Sequence, residues 1–197
     1  MERAILVRHG ESVLSARGIV SGRANVSCPL TERGVAQARA LAGELAGEEI
    51  DLCVTSALER ARQTADIVLA GRGVQRLVLA ALNDPLYGAY EHGPLAAYLE
   101  WALAHDSVTE PPGGGEARRS IAARYASAFR TVLERPERTV LVVAHLLPLA
   151  YAFLALEGRD PAPRVPLVDY AKPYRLTADE LERIAGRLES WCASPTW

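Results

Sequence analysis

Residues 4–12 read AILVRHGES, an apolar run that ends on arginine, histidine, glycine, glutamate and serine. Ala4 to Val7 hold no polar residue, so both faces of the segment call for burial, the pattern of a strand inside a parallel sheet. In open α/β sheets, ligands bind just beyond the carboxyl ends of the strands. Arg8 and His9 therefore stand where such a protein does its chemistry. Residues 141–145, LVVAH, repeat the arrangement: a hydrophobic run from Thr139 to Ala144 leads straight into His145. A single histidine in such a place is ordinarily a hydrogen-bonded core residue. Two at matching strand ends, one beside an arginine, reverse that expectation. If the two strands are parallel neighbours, both imidazoles emerge at the same sheet edge.

Further strand-like runs occur at Leu52–Thr55 and Leu77–Leu79, with helical patterns between them. One helix is expected from about Glu32 to Ala46, introduced by Thr31. A second covers about Ala57 to Ala70, with Ser56 and Glu59 spaced as a capping box. Two more run from about Glu116 to Glu134 and from about Ala178 to Ser190, the last capped by Thr177 and Glu180. A shorter apolar helix is expected after Pro148. Strands alternating with helices predict an α/β three-layer sandwich, a mostly parallel central sheet with helices on both faces. The whole chain, 1–197, is expected to be one domain. From about 85 to 116 the pattern weakens, and Pro85, Gly88, Gly93, Pro94 and the PPGGG of Pro111–Gly115 break it repeatedly. This stretch is expected to be an excursion from one sheet edge, with one helix from Pro94 to Ala104.

The bulk numbers exclude several classes. With 197 residues, 49% hydrophobic and 23% charged, the chain is long enough to bury a core without staples. A net charge of −2 gives no footprint for nucleic acid or an anionic membrane. Lys172 is the only lysine, so arginine carries nearly all the positive charge; most of it is expected on solvated helix faces. Cys28, Cys53 and Cys192 form neither a disulfide framework nor a zinc pattern, which suits a reducing cytoplasm. No signal peptide and no membrane span is expected.

A second arginine enters through SALERARQTA, residues 56–65. Arg60 falls in the first turn of the helix after the second strand, where it can point across the strand ends alongside the positive helix N-terminus. Arg62 lies about 200° further round the helix, so only one of the two can face inward. Either alone would ordinarily be a solvated surface residue. Two arginines, two histidines and a helix N-terminus meeting at one point make an anion site, and guanidinium forks match phosphate oxygens. A neutral imidazole there is a competent nucleophile toward phosphorus.

LVRHGES (6–12), SALERARQTA (56–65) and VVAH (142–145) resemble, in that order, the motifs of the histidine phosphatase superfamily, also called phosphoglycerate mutase-like. CPLTERG (28–34) and GGE (114–116) look like further stretches of it, the latter usual in its smaller phosphatases. The resemblance implies that His9 attacks phosphorus and becomes a phosphohistidine, while Arg8, Arg60 and His145 hold the equatorial oxygens. The backbone N–H after the second histidine, here that of Leu146, would add a donor where the family usually has glycine. The proton donor departs from the family pattern. A glutamate four residues before a glycine is usual; in LNDPLYG that spacing falls on Asp84, one methylene shorter. Asn83-Asp84-Pro85 is also sound turn chemistry with no catalytic role. Glu91, in YEHG, is the alternative acid, with His92 behind it.

The reaction expected is hydrolysis of phosphomonoesters through a phosphohistidine on His9, without a metal or other cofactor. Arg8 beside His9 would repel a cation, and the four histidines show no ligand pair at helical spacing. The substrate would be a small phosphorylated metabolite, chosen by the excursion, with Tyr87, Tyr90, Tyr98 and Trp101 as candidate lining; inorganic phosphate is a further expected ligand. Oligomeric state stays open, a homodimer being one option. A phosphoglycerate mutase is the rival enzyme. Against it stand the short excursion, Ser15 where mutases usually have asparagine, and the apolar Leu146-Leu147-Pro148 after His145. A catalytically silent phosphate-binding protein is the rival from another class. The intact set of Arg8, His9, Arg60 and His145 speaks against it.

Overall fold

The computed structural model describes residues 1–197 and is built on one five-stranded sheet. In chain order the elements are β1 (Arg3–Arg8), α1 (Glu32–Glu44), β2 (Leu52–Thr55), α2 (Glu59–Val68), β3 (Gln75–Val78), α3 (Leu95–Ala104), α4 (Arg118–Leu133), β4 (Thr139–Ala144), α5 (Leu146–Leu156), β5 (Pro173–Thr177) and α6 (Ala178–Ala193). The strand order is β3-β2-β4-β1-β5, and every pairing is parallel except β1 with β5. The expected three-layer α/β sandwich is what the chain forms.

The two-sided burial inferred for residues 4–7 has a direct structural cause. Side chains alternate across a strand. Ala4 and Leu6 of β1, with Val140 and Val142 of β4, pack under α4, α5 and α6. Ile5 and Val7, with Leu141 and Val143, pack against α1 and α2 on the opposite face. Neither face meets water, so the alternation leaves no polar position. β1 and β4 pair in register, Arg8 opposite Ala144, which sets His9 and His145 side by side beyond the sheet edge.

Four local expectations change. The sheet has a fifth strand, β5, whose PYRLT is half exposed and holds too few apolar residues to be read as a strand. As an antiparallel edge it needs one partner only, and Pro173 sits at its first residue, where a missing N–H costs nothing. α2 starts at Glu59 and not near Ala57, and Ser56 does not cap it. The Ser56 hydroxyl is taken by His145, and Glu59 accepts from Ser27 Oγ and the Cys28 amide instead. α5 begins at Leu146, two residues ahead of Pro148, which fits in the first turn because its N–H would be unpaired there anyway. β3 begins two residues earlier than expected, at Gln75. The Thr177–Glu180 capping box forms as the spacing predicts.

Gly10 and Gly34 close the first loop onto α1. A Cβ on Gly10 would lie 2.6 Å from the Gly34 carbonyl oxygen, and one on Gly34 would lie 2.0 Å from that of Glu11. Only two glycines let these backbones approach so closely, and the contact fixes the path of the chain just after His9. No helix is long and apolar enough to cross a membrane.

Candidate active site

Each site residue is delivered by the end of a regular element. His9 follows β1, His145 follows β4, Arg60 lies in the first turn of α2, and Asp84 lies in the loop after β3. His9 is 2% exposed, His145 0% and Arg60 4%. The two imidazole centroids are 5.0 Å apart. Arg62 is exposed, so Arg60 is the inward arginine of the pair.

Hydrogen bonds decide which nitrogen of each ring is free. His9 Nδ1 lies 2.6 Å from the Gly10 carbonyl oxygen, which can only accept. Nδ1 therefore carries the proton and Nε2 presents a lone pair. Arg60 Nε donates to that nitrogen at 3.2 Å. His145 is arranged the other way. Ser56 Oγ sits 2.7 Å from Nε2 and accepts from the Leu58 amide, so its own proton goes to the ring. Nδ1 of His145 then bears a hydrogen. It lies 3.2 Å from Asp84 Oδ2 yet is buried without a hydrogen-bond partner. Burial is the largest cause that pushes both histidines well below the usual histidine pKa, joined for His9 by His145 and Arg60 and for His145 by Arg60 and Arg8. Both rings are neutral at pH 7.

Asp84 Oδ2 accepts from Arg60 Nη2 at 2.5 Å, and the same Nη2 reaches the Ser21 carbonyl at 2.9 Å. The loop that holds Asp84 is more than a turn. Asn83 Oδ1 accepts from the Ala57 amide. Arg124 Nη1 donates to the carbonyls of Ala81 and Asn83, each at 2.8 Å, while its Nε and Nη2 meet Glu116 at 2.8 Å. The glutamate of the GGE stretch thus aims an arginine that pins the acid loop. Glu91 is used elsewhere: it accepts from the amides of Gly22, Arg23 and Tyr87, and it does not line the cavity.

Arg8, His9, Arg60 and Asp84 line a cavity of about 810 Å³. Arg8 donates to the Val168 carbonyl at 2.7 Å and its guanidinium lies 3.7 Å from the centre of the Tyr170 ring, leaving Nε unpartnered. Leu146 and Leu147 open α5 at the same place, and amides at a helix start lack intrahelical partners. Tyr87 and Tyr98 of the excursion line the cavity, ring centres 4.7 Å apart, while Tyr90 and Trp101 pack against Tyr98 from outside it. Much of the remaining wall comes from residues 14–21 and 163–170, with Arg33, Leu95, Leu99 and Arg118 among the others. His145 stays just behind the cavity surface. His9, Asp84 and His145 could between them offer three ligand atoms within 4.8 Å of one another. Arg60 already donates to two of the three, and with Arg8 it makes the point attractive to anions and hostile to cations.

Sequence reasoning missed Ser56, Tyr170, Val168 and Arg118. Ser56 was visible but read as a cap; a serine two residues past a strand and beside a second strand-end histidine is the signal that could have found it. Residues 168 and 170 sit in an irregular stretch whose approach to Arg8 depends on tertiary contacts.

An imidazole lone pair among N–H donors at the carboxyl edge of a mostly parallel sheet defines an α/β protein with an anion-attracting site. The chain belongs to the histidine phosphatase superfamily (branch 1), whose sequence profile matches residues 4–189. It is 36% identical over 121 residues to the adenosylcobalamin/alpha-ribazole phosphatase of Salmonella typhimurium, a match that spans 57% of this chain and 59% of that enzyme's length. It is 35% identical over 205 residues to a 2,3-bisphosphoglycerate-dependent phosphoglycerate mutase of Methylobacterium radiotolerans, covering 91% and 92% of the two chains. Among solved structures, the alpha-ribazole phosphatase of Shigella flexneri superposes with a TM-score of 0.74 at 27% identity, over 88% of this chain and 89% of that one.

Proposed function

We propose that the protein hydrolyses phosphomonoesters through a phosphohistidine on His9, without a metal ion, with Asp84 as proton donor and acceptor. The observation that carries this reading is the wiring of His9: its Nδ1 proton is spent on the Gly10 carbonyl, so the lone pair of Nε2 faces the cavity. The phosphoryl group would sit between Arg8, Arg60 and His145 Nδ1–H, donors suited to charge spreading over three equatorial oxygens.

In the first step Nε2 forms a bond to phosphorus as the bond to the ester oxygen breaks, and Asp84 gives its proton to the departing oxygen. In the second, water attacks phosphorus, Asp84 takes the water's proton, and the N–P bond breaks to release inorganic phosphate. Asp84 itself contacts Arg60 and lies beside His145 Nδ1, among the donors proposed for phosphate. An incoming dianion would take over those donors and free the Asp84 carboxyl group for the oxygen that departs.

The cavity's mixed wall, with the strand-end donors on one side and apolar side chains such as Leu14, Ile19, Leu95 and Leu99 elsewhere, leaves room for the organic part of a phosphomonoester. The named relatives include phosphatases and mutases, and the assay must separate them. Purified protein in EDTA is expected to hydrolyse p-nitrophenyl phosphate, and a rapid quench should trap an acid-labile, base-stable phosphoenzyme that His9→Ala does not form. Conversion of 3-phosphoglycerate to 2-phosphoglycerate with a bisphosphate primer, in place of hydrolysis, would select the mutase. No turnover of any phosphomonoester would select the silent binder.

A further inference from the structure

We propose that Arg118 is a second anion subsite in the cavity, and that the preferred substrates carry a carboxylate on the part of the molecule remote from the phosphate. The inference rests on phosphate being held at His9 and goes on to name the substrate class.

Arg118 opens α4 on the helix's buried face, in line with Ile121, Ala122 and Tyr125. An arginine at such a position is unexpected, and it is only 6% exposed. Arg8 has the Val168 carbonyl at 2.7 Å, and Arg60 and Arg124 have an acid each, Asp84 and Glu116. Arg118 has none. Its one hydrogen bond is a long 3.4 Å contact to Tyr151 Oη, its guanidinium lies 5.1 Å from the Tyr98 ring centre, and Nε has no partner. Arginine stays charged at neutral pH, and a buried charge without a counter-ion is costly unless something binds to it.

Two further observations converge on the same place. Tyr98 Oη and Ser21 Oγ are also buried without partners, and both residues line the cavity with Arg118. α4 has no acidic residue in its first turn and no side chain capping it, so the positive end of the helix adds to the potential beside the guanidinium. One planar fork and a phenol on an otherwise apolar wall match a planar monoanion, whose two oxygens accept side by side. A second phosphate dianion would leave charge uncompensated there. Arg33 and Arg164 also border the cavity, but both are exposed and screened by water.

The test is calorimetric binding of three non-hydrolysable ligands: benzylphosphonate and its 3- and 4-carboxylated forms, the (phosphonomethyl)benzoates. At least one carboxylated ligand should bind the wild type about tenfold or more tightly than benzylphosphonate. Arg118→Leu should abolish that preference and Arg118→Lys should keep part of it. If Arg118→Leu fails to fold, as judged by its circular dichroism melt, Arg118→Gln takes its place. A wild type without the preference, or a folded variant that retains it in full, overturns the proposal. A protein that shows the preference yet turns over no phosphomonoester overturns the phosphatase reading and leaves the carboxylate subsite standing.

Discussion

His9 and His145 end neighbouring parallel strands in matching register, yet their rings are tied through opposite nitrogens. His9 is held at Nδ1 by its own chain, one residue on, and offers a lone pair from Nε2. His145 is held at Nε2 by Ser56, from another strand end, and offers a proton from Nδ1. Similar strand ends thus yield a lone pair in one ring and a proton in the other. The difference lies in which partner each ring finds and not in where the backbone puts it.

The widest break in that comparison comes from deleting each ring in turn. His9→Ala is expected to lower kcat on p-nitrophenyl phosphate by at least ~10⁴-fold, because the bond-forming atom is gone. His145→Ala should cost about 10²–10³-fold, the scale of one lost donor to a developing oxyanion. Radiolabelled substrate separates the two further: the His145 variant should still acquire label, slowly, and the His9 variant none. Next in size is Asp84→Asn, measured as the burst of product release. An alkyl phosphate should lose about 10²-fold or more, and p-nitrophenyl phosphate far less, because nitrophenolate departs without a proton. Should Glu91→Gln show that pattern in its place, the acid has been misassigned.

Subtler changes sharpen the comparison. Ser56→Ala frees the His145 ring to take the other tautomer and should lower kcat by about tenfold, with Ser56→Thr restoring most of it. A purely structural serine would instead shift Tm and leave the pH–rate profile unmoved. The smallest effect is on stability. Burial lowers the folded pKa of both histidines below the unfolded value, so the unfolded chain binds more protons between the two. Stability therefore falls as pH drops below about 6.5, the ordinary histidine pKa. Each ring contributes a slope of at most ~1.4 kcal/mol per pH unit. Denaturant melts of His9→Ala between pH 7 and 5 should show a flatter slope than the wild type.

How much of this was legible in the sequence depends on where each residue gets its position. His9, His145 and Arg60 owe theirs to a strand end or a helix start, elements that announce themselves by periodicity, and residues 4–7 were read as buried on both faces for the reason the structure gives. β5 was illegible because an edge strand needs one half-buried face and PYRLT has no more. Ser56 fits a capping pattern by spacing, yet a buried imidazole 89 residues away takes its hydroxyl. The excursion supplied Tyr87 and Tyr98 to the cavity as expected. The opposite wall, from residues 14–21 and 163–170, has no repeat or period, and only tertiary contact puts it there.

The carboxylate of Asp84 occupying the slot between Arg60 and His145 has a consequence for turnover. Asp84 offsets part of the positive charge of Arg60 and Arg8, so a dianion that binds there exchanges one set of contacts for another and keeps only the difference as affinity. The same exchange runs backward at the end of each cycle. An anion that departs is replaced by the Asp84 carboxyl group from its own loop, which limits how tightly these donors hold any anion that makes no further contacts.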